Sequence, residues 1–186
     1  IYKYQGSLNK FLIDDKGSTV MALFGLPPVA HQNDPARAVL AALELAHTLP
    51  GVSFSKHEPA AIGLTSGTIF VGIIGLKGTR REYGVLGDKV NLAARLMSES
   101  KKHPVKYGEV VVDKSVFLEA QDEVRLEWQE ISEIKVKGKK IPVTIFRPAR
   151  VAYDVSIHKI SHAKNLETQD RVSIETITTQ INKAIG

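Results

Sequence analysis

With 186 residues, 43% of them hydrophobic and 24% charged, the chain has the make-up of a globular protein, long enough for one domain with a sizeable core and an additional segment. No apolar run approaches the roughly eighteen residues of a membrane-spanning helix, and the opening IYKYQGSLNK lacks the apolar stretch and cleavage site of a secretory leader. The absence of cysteine excludes disulfides, thiolate metal sites and thiol chemistry and fits a reducing cytosol, while the net charge of +5 suits a polyanionic ligand without requiring one. The first residue is Ile rather than Met, so the chain reads as a processed product or a fragment.

Residues 8–13 (LNKFLI) and 18–24 (STVMALF) read as strands joined by the polar turn DDKG. In NDPARAVLAALELAHTL, Asn33 or Asp34 serves as N-cap and Pro35 stands near the first helical position, ahead of a rich apolar face. AAIGLTSG (60–67) and TIFVGIIG (68–75) are expected to pair about a turn at Ser66-Gly67. A basic loop over 76–82 leads to a short strand at 83–86 and a helix over 88–100. A strand at 109–112, a short helix capped by Asp113, and a strand near 123–130 follow. The run EIKVKGKKIPVTIFRP predicts a hairpin turning at Lys137-Gly138-Lys139. From 149 to about 170 the chain turns polar and reads as a linker, and residues 171–184, with Val172, Ile174, Ile177 and Ile181, suit a helix.

Tight turns between strands require an at least partly antiparallel sheet, and the expectation is an α+β sandwich with helices on one face. The element order fits a ferredoxin-like arrangement lacking its first elements. The expected domains are 1–148, a compact unit, and 149–186, a linker and helix.

Several chemistries are absent. GIIGLKGT (72–79) and GVLGDKV (84–90) match neither the phosphate-binding P-loop nor the dinucleotide fingerprint. Of the histidines at 31, 47, 57, 103, 158 and 162, no pair has helical metal-ligand spacing with a nearby acid in a firm helix, His158 and His162 falling in the expected linker, and no nucleophile elbow occurs. Asp14 and Asp15 are adjacent, so in a strand they point to opposite faces. The basic clusters LKGTRR and IKVKGKK carry too little aromatic interleaving for a nucleic-acid platform. Asn91 and Arg95 stand apart from these: four residues apart on an apolar helix, they are displaced by about 40° and can reach one ligand. Arg95 offers a charged planar fork suited to phosphoryl oxygens, and Asn91 can orient a hydroxyl. On the pattern alone a helix edge that caps or bridges to neighbours fits as well.

RREYGVLGDKVNLAARLM (80–97) resembles the class III nucleotidyl cyclases, with further resemblance across about residues 7–148 in LNKFLIDDKGSTVMALFGLP, NDPARAVLAALELA, AAIGLTSGTIFVGIIG and IKVKGKKIPVTIFRP. Within the class the chain looks most like the second cyclase domain of the soluble, bicarbonate-responsive adenylyl cyclases. The resemblance implies a ferredoxin-like cyclase fold and a head-to-tail pair of domains with the active site between them. It implies conversion of ATP to cyclic AMP and pyrophosphate, with two Mg2+ ions held by the partner domain. It implies that Asn91 orients the ribose, Arg95 stabilises the transition-state phosphate, Lys10 reads the base and Lys137 approaches the triphosphate. The family's Thr or Asp before Val-Leu-Gly is Gly84 here, leaving backbone groups around Val85 to contact the base. The first metal aspartate would lie ahead of Ile1, and the second would align with Asp14 in a hairpin longer than that of metal-binding domains; no metal is expected on this chain. A catalytically silent regulatory domain is the alternative; a guanylyl cyclase reading has no residue that favours guanine, and a ferredoxin-like RNA-binding module leaves Asn91 and Arg95 unexplained.

Overall fold

Three consecutive valines, Val110 to Val112, leave a strand without a polar face, so it is stable only when covered on both sides. The computed structural model, which describes residues 1–14, 17–49, 60–75, 78, 81–102, 109–135 and 141–151, builds its larger sheet around that strand. In chain order the elements are β1 (Ser7–Asp14), β2 (Gly17–Leu23), α1 (Asp34–Thr48), β3 (Ala61–Leu64), β4 (Phe70–Ile74) and β5 (Glu82–Leu86). They continue with α2 (Asp88–Ser100), β6 (Glu109–Asp113), α3 (Lys114–Ala120), β7 (Leu126–Ile134) and β8 (Val143–Arg150). The chain divides into two units, Ile1–Val151 and Ala152–Gly186. The second, with most of the expected linker and the expected terminal helix, lies outside the described residues.

The four-stranded sheet runs β3-β6-β8-β7, with β3 and β6 parallel and the other pairs antiparallel. β1–β2 and β4–β5 are separate antiparallel pairs. The fold is thus α+β and mostly antiparallel. The hairpin expected about Ser66-Gly67 does not form: β3 pairs with β6 and β4 with β5. A Ser-Gly dipeptide marks a reversal of the chain but does not choose the strand's partner. Ile62 and Leu64, which pack into the core, gain cover beside β6 that β4 would not provide.

Helices flank the sheet on both faces rather than on one. Val110 and Val112 join Ala36, Val39, Ala42 and Ala46 of α1 and Val116 and Ala120 of α3 in one apolar cluster. Val111 turns the other way, into a second cluster with Leu92 and Leu96 of α2 and Ile145 of β8. Successive residues of a strand face opposite sides, so α2 lies across the sheet from α1 and α3. Gly63, paired with Val111, belongs to the α2 side. A Cβ there would overlap the backbone of α2 at Ala93 O and Met97 N, so the missing side chain is what lets helix and strand approach.

The helix ends are set by local chemistry. Asp113 caps α3 by accepting from Val116 N at 3.0 Å. β7 begins at Leu126, later than expected, because Glu123 N and Val124 N both donate to Ala120 O in a turn that ends α3. At the N-terminus a short 3₁₀ turn, Tyr2–Tyr4, is tied to α1 through Glu44, which accepts from Lys3 Nζ at 2.8 Å and Tyr4 Oη at 2.5 Å. The Lys3 bond first and the Tyr4 bond second hold the Glu44 carboxyl below its ordinary range, and the same contacts raise Lys3 and Tyr4.

The seat of α2 yields a direct test. Gly63→Ala is expected to lower unfolding free energy by about 2 kcal/mol or more through overpacking, and Leu96→Ala by about 2–5 kcal/mol through a cavity. Urea unfolding monitored by circular dichroism measures both.

Candidate functional site

α2 starts at a glycine N-cap, Gly87, directly after β5, so the chain passes from strand to helix in a single residue. Leu92 and Leu96 are at most 1% exposed and define the buried stripe. Asn91 and Arg95 each precede one of these leucines, a rotation of about 100°, and both are exposed. Among the described residues neither side chain has a hydrogen-bond or ion-pair partner. The helix therefore presents an amide and a guanidinium side by side on an open surface, four residues apart.

The orientation of that surface is fixed at the first turn of α2. Lys89 Nζ donates to Asp113 Oδ2 at 2.8 Å and to Ser115 Oγ at 3.2 Å, while Thr65 Oγ1 donates to Lys89 O at 3.0 Å. Asp113 is almost fully buried and its other oxygen caps α3. One carboxylate thus joins the start of α2 to the start of α3 across the end of β6.

A second group gathers between the hairpins. A cavity of about 420 Å³ is lined by Lys10, Met21, Ile74, Glu82, Gly84 and Val85, among others. Lys10 Nζ lies 3.6 Å from Glu82 Oε1, both side chains being roughly half exposed. Lys10 and Val85, from strands distant in sequence, thus line one cavity. Asn91 and Arg95 are not among the lining residues; they belong to the helix that follows β5. Lys137 lies outside the described residues.

Glu82 and Ile74 are among the lining residues that were not singled out from the sequence. Glu82 shares a strand face with Gly84 by the period of two, a signal available in EYGVL. Ile74 had no such signal, because its place depends on the register of β4 against β5, where it lies opposite Glu82.

The donor set does not suit a pair of divalent cations. Among the described residues no group of three His, Asp or Glu gathers, and the Glu82 carboxylate on the cavity faces the ammonium of Lys10. No helix among the described residues is long and apolar enough to cross a membrane.

Lys89→Met keeps the aliphatic stem but leaves Asp113 without its counter-charge. A loss of about 3 kcal/mol is expected, the low end for a broken buried pair, with partial recovery in Lys89→Met/Asp113→Asn. A double-mutant cycle of unfolding free energies checks this.

Comparison with known proteins bears on these geometries. A family profile described as the adenylate and guanylate cyclase catalytic domain matches residues 9–147. Adenylate cyclase type 10 of Homo sapiens is 37% identical over 94 residues, which cover 50% of this chain and 6% of that protein. The rat protein of the same name is 28% identical over 144 residues, 77% of this chain and 8% of its own length. The chain thus spans a small part of these curated relatives. Among solved structures, the adenylyl cyclase CyaB from P. aeruginosa superposes with a TM-score of 0.63 at 28% identity, over 82% of this chain and 76% of that one. The guanylyl cyclase Cya2 gives a TM-score of 0.57 at 28% identity, over 83% of this chain and 75% of its own.

Proposed function

The chain belongs to the adenylate and guanylate cyclase catalytic-domain family, and from that premise we propose that it forms one half of an adenylyl cyclase site, completed by a complementary cyclase domain. The observation that carries this reading is the pairing of two features in one unit: Asn91 and Arg95 exposed and unpartnered on α2, and a cavity at the preceding strand walled by Lys10 and Val85. Relatives named adenylate cyclases support ATP as the nucleotide. The half-built character is supported by the surface. Phe11, Ile13 and Val20 on β1–β2, and Phe70, Ile73 and Tyr83 on β4–β5, are each more than half exposed, an apolar area that a partner domain would cover.

The chemistry asked of this chain is orientation and charge. The ribose 3′-oxygen forms a bond to the α-phosphorus as the bond from that phosphorus to the pyrophosphate oxygen breaks, and the 3′ proton passes to solvent water. Negative charge grows on the α-phosphoryl oxygens during this exchange. The fixed fork of Arg95 donates to those oxygens, where its charge is worth most in the transition state. Asn91 holds the ribose so that attack is in line. Lys10 donates to the base, backbone groups at Val85 meet its edge, and Lys137 approaches the triphosphate. Residues of the complementary domain would hold the two Mg2+ ions, which would supply neutralisation of phosphate charge. Such a domain works on the ATP of the cytoplasm in intracellular signalling.

A second reading has a specific observation behind it. Gly84, which brings no side chain to the cavity it lines, also fits a silent domain that only regulates an active partner.

Arg95→Ala in the full-length protein is expected to cut cyclic AMP formation by about 10²–10³ in turnover, with thermal stability unchanged because the side chain is exposed. Near-normal turnover in that variant would sink the catalytic reading. Loss of ATP-analogue binding in Lys10→Ala, measured by titration calorimetry, would exclude the silent one.

A further inference from the structure

We propose that Lys89 is a positioning residue for the reaction: it locks the joint at which the hairpin β4–β5 meets α2, and so sets where Asn91 and Arg95 stand relative to a nucleotide in the cavity. The inference rests on the nucleotide reading given above.

Both strands of that hairpin are rooted at one crossing. Residues 65–69 lead from β3 into β4, and β5 leaves through Gly87 into α2. The two connections meet through glycines of positive φ, Gly67 at +144° and Gly87 at +151°. A Cβ on Gly67 would lie 2.7 Å from Lys89 Cε and 3.3 Å from Lys89 Cγ, so the lysine stem runs over bare backbone. Gly87 lies against Ile69 and Thr68 of the same connection.

Lys89 holds this crossing with its backbone and its side chain together. Its carbonyl accepts from Thr65 Oγ1 at 3.0 Å, while its ammonium reaches past Gly67 to Asp113 Oδ2 at 2.8 Å and Ser115 Oγ at 3.2 Å. The connection is tied a second time, to α3, where Ser66 Oγ donates to Glu119 Oε2 at 2.7 Å. One side chain therefore links the entry to β4, the start of α2 and the start of α3.

The reaction gives that link a purpose. The cavity is walled by the hairpins, whereas Asn91 and Arg95 stand on α2 and do not line it. One nucleotide can touch both only if hairpin and helix keep a fixed relation. The β4–β5 pair forms no ladder with the larger sheet, which leaves that relation to the root of the hairpin. Groups that act as charge grows in the transition state tolerate little displacement: about 1 Å costs about 10²-fold. Loosening the joint misplaces those groups and leaves the cavity walls in place, so it lowers kcat and kcat/KM together at constant KM.

The test is steady-state cyclic AMP formation by the full-length protein, measured well below the melting temperature of each variant. Lys89→Met is expected to lower kcat by about tenfold to a hundredfold with KM within about threefold of wild type. Lys89→Met/Asp113→Asn is expected to recover part of the melting temperature, because no buried carboxylate is left without a counter-charge, but not kcat. Thr65→Val leaves the charge pair intact and tests the joint alone; kcat is expected to fall by about threefold or more at a near wild-type melting temperature. Should Lys89→Met fail to fold, the double variant and Thr65→Val decide. Turnover that returns with stability in the double variant, wild-type kcat in Thr65→Val, or a raised KM at unchanged kcat overturns the positioning role while leaving the nucleotide site in place. A wild type that neither forms cyclic AMP nor binds an ATP analogue overturns the nucleotide reading itself, and this inference with it.

Discussion

The close approach of α2 to β3, permitted by the missing side chain at Gly63, is the constraint on which the rest of the unit depends. With backbone against backbone, Leu92 and Leu96 reach the sheet and meet Val111 and Ile145. Two leucines buried to this degree contribute about 1.5–3 kcal/mol each, enough to fix the rotation of a helix with little room to slide. Because the rotation is fixed, whatever stands one residue before each leucine is aimed outward. Asn91 and Arg95 owe their shared exposure to that. Lys89 completes the seat by tying the first turn to Asp113, so the exposed face cannot roll about the apolar one.

The same sheet explains why the cleft lies where it does. The central strand β6 is covered by α1 and α3 on one side and α2 on the other, and its residues are buried throughout. The central strand itself has no open surface on which to build a site. The two hairpins, β1–β2 and β4–β5, carry the opposite character: apolar side chains on open surface, and between them a cavity with one cation and one carboxylate. Stability is concentrated in one region and recognition in the other. α2 links them, rooted in the first and emerging directly from the strand that forms the second.

The cleft also shows how a single strand face can hold opposing demands. Glu82 and Gly84 share a face, and Ile74 of the neighbouring strand reaches across to lie over the glycine. Charge stands at one end of this short ladder and a methyl wall at the other. The Lys10–Glu82 contact joins two hairpins distant in sequence. At this level of exposure the pair adds little to stability.

Elements whose signals are local were legible in the chain. The bounds of α2 follow from Gly87 ahead of Asp88 and the apolar period after it, and the start of α3 from the Asp113 cap. The strands of β1–β2 follow from two apolar runs about a polar turn. The juxtaposition of Asn91 and Arg95 needed only the helical period. What the chain did not disclose are relations between segments far apart: that β3 lies parallel to β6 instead of pairing with β4, that helices cover both faces, and that Glu82 meets Lys10 while Ile74 fills the space over Gly84. A turn dipeptide reports that the chain reverses, and an apolar residue reports that it is buried. Neither names its neighbour, because that choice is made by the whole set of surfaces competing for cover. The sequence by itself determined which residues stand out on α2; tertiary contacts alone decided what surrounds Gly84, since that depends on a register no local pattern encodes.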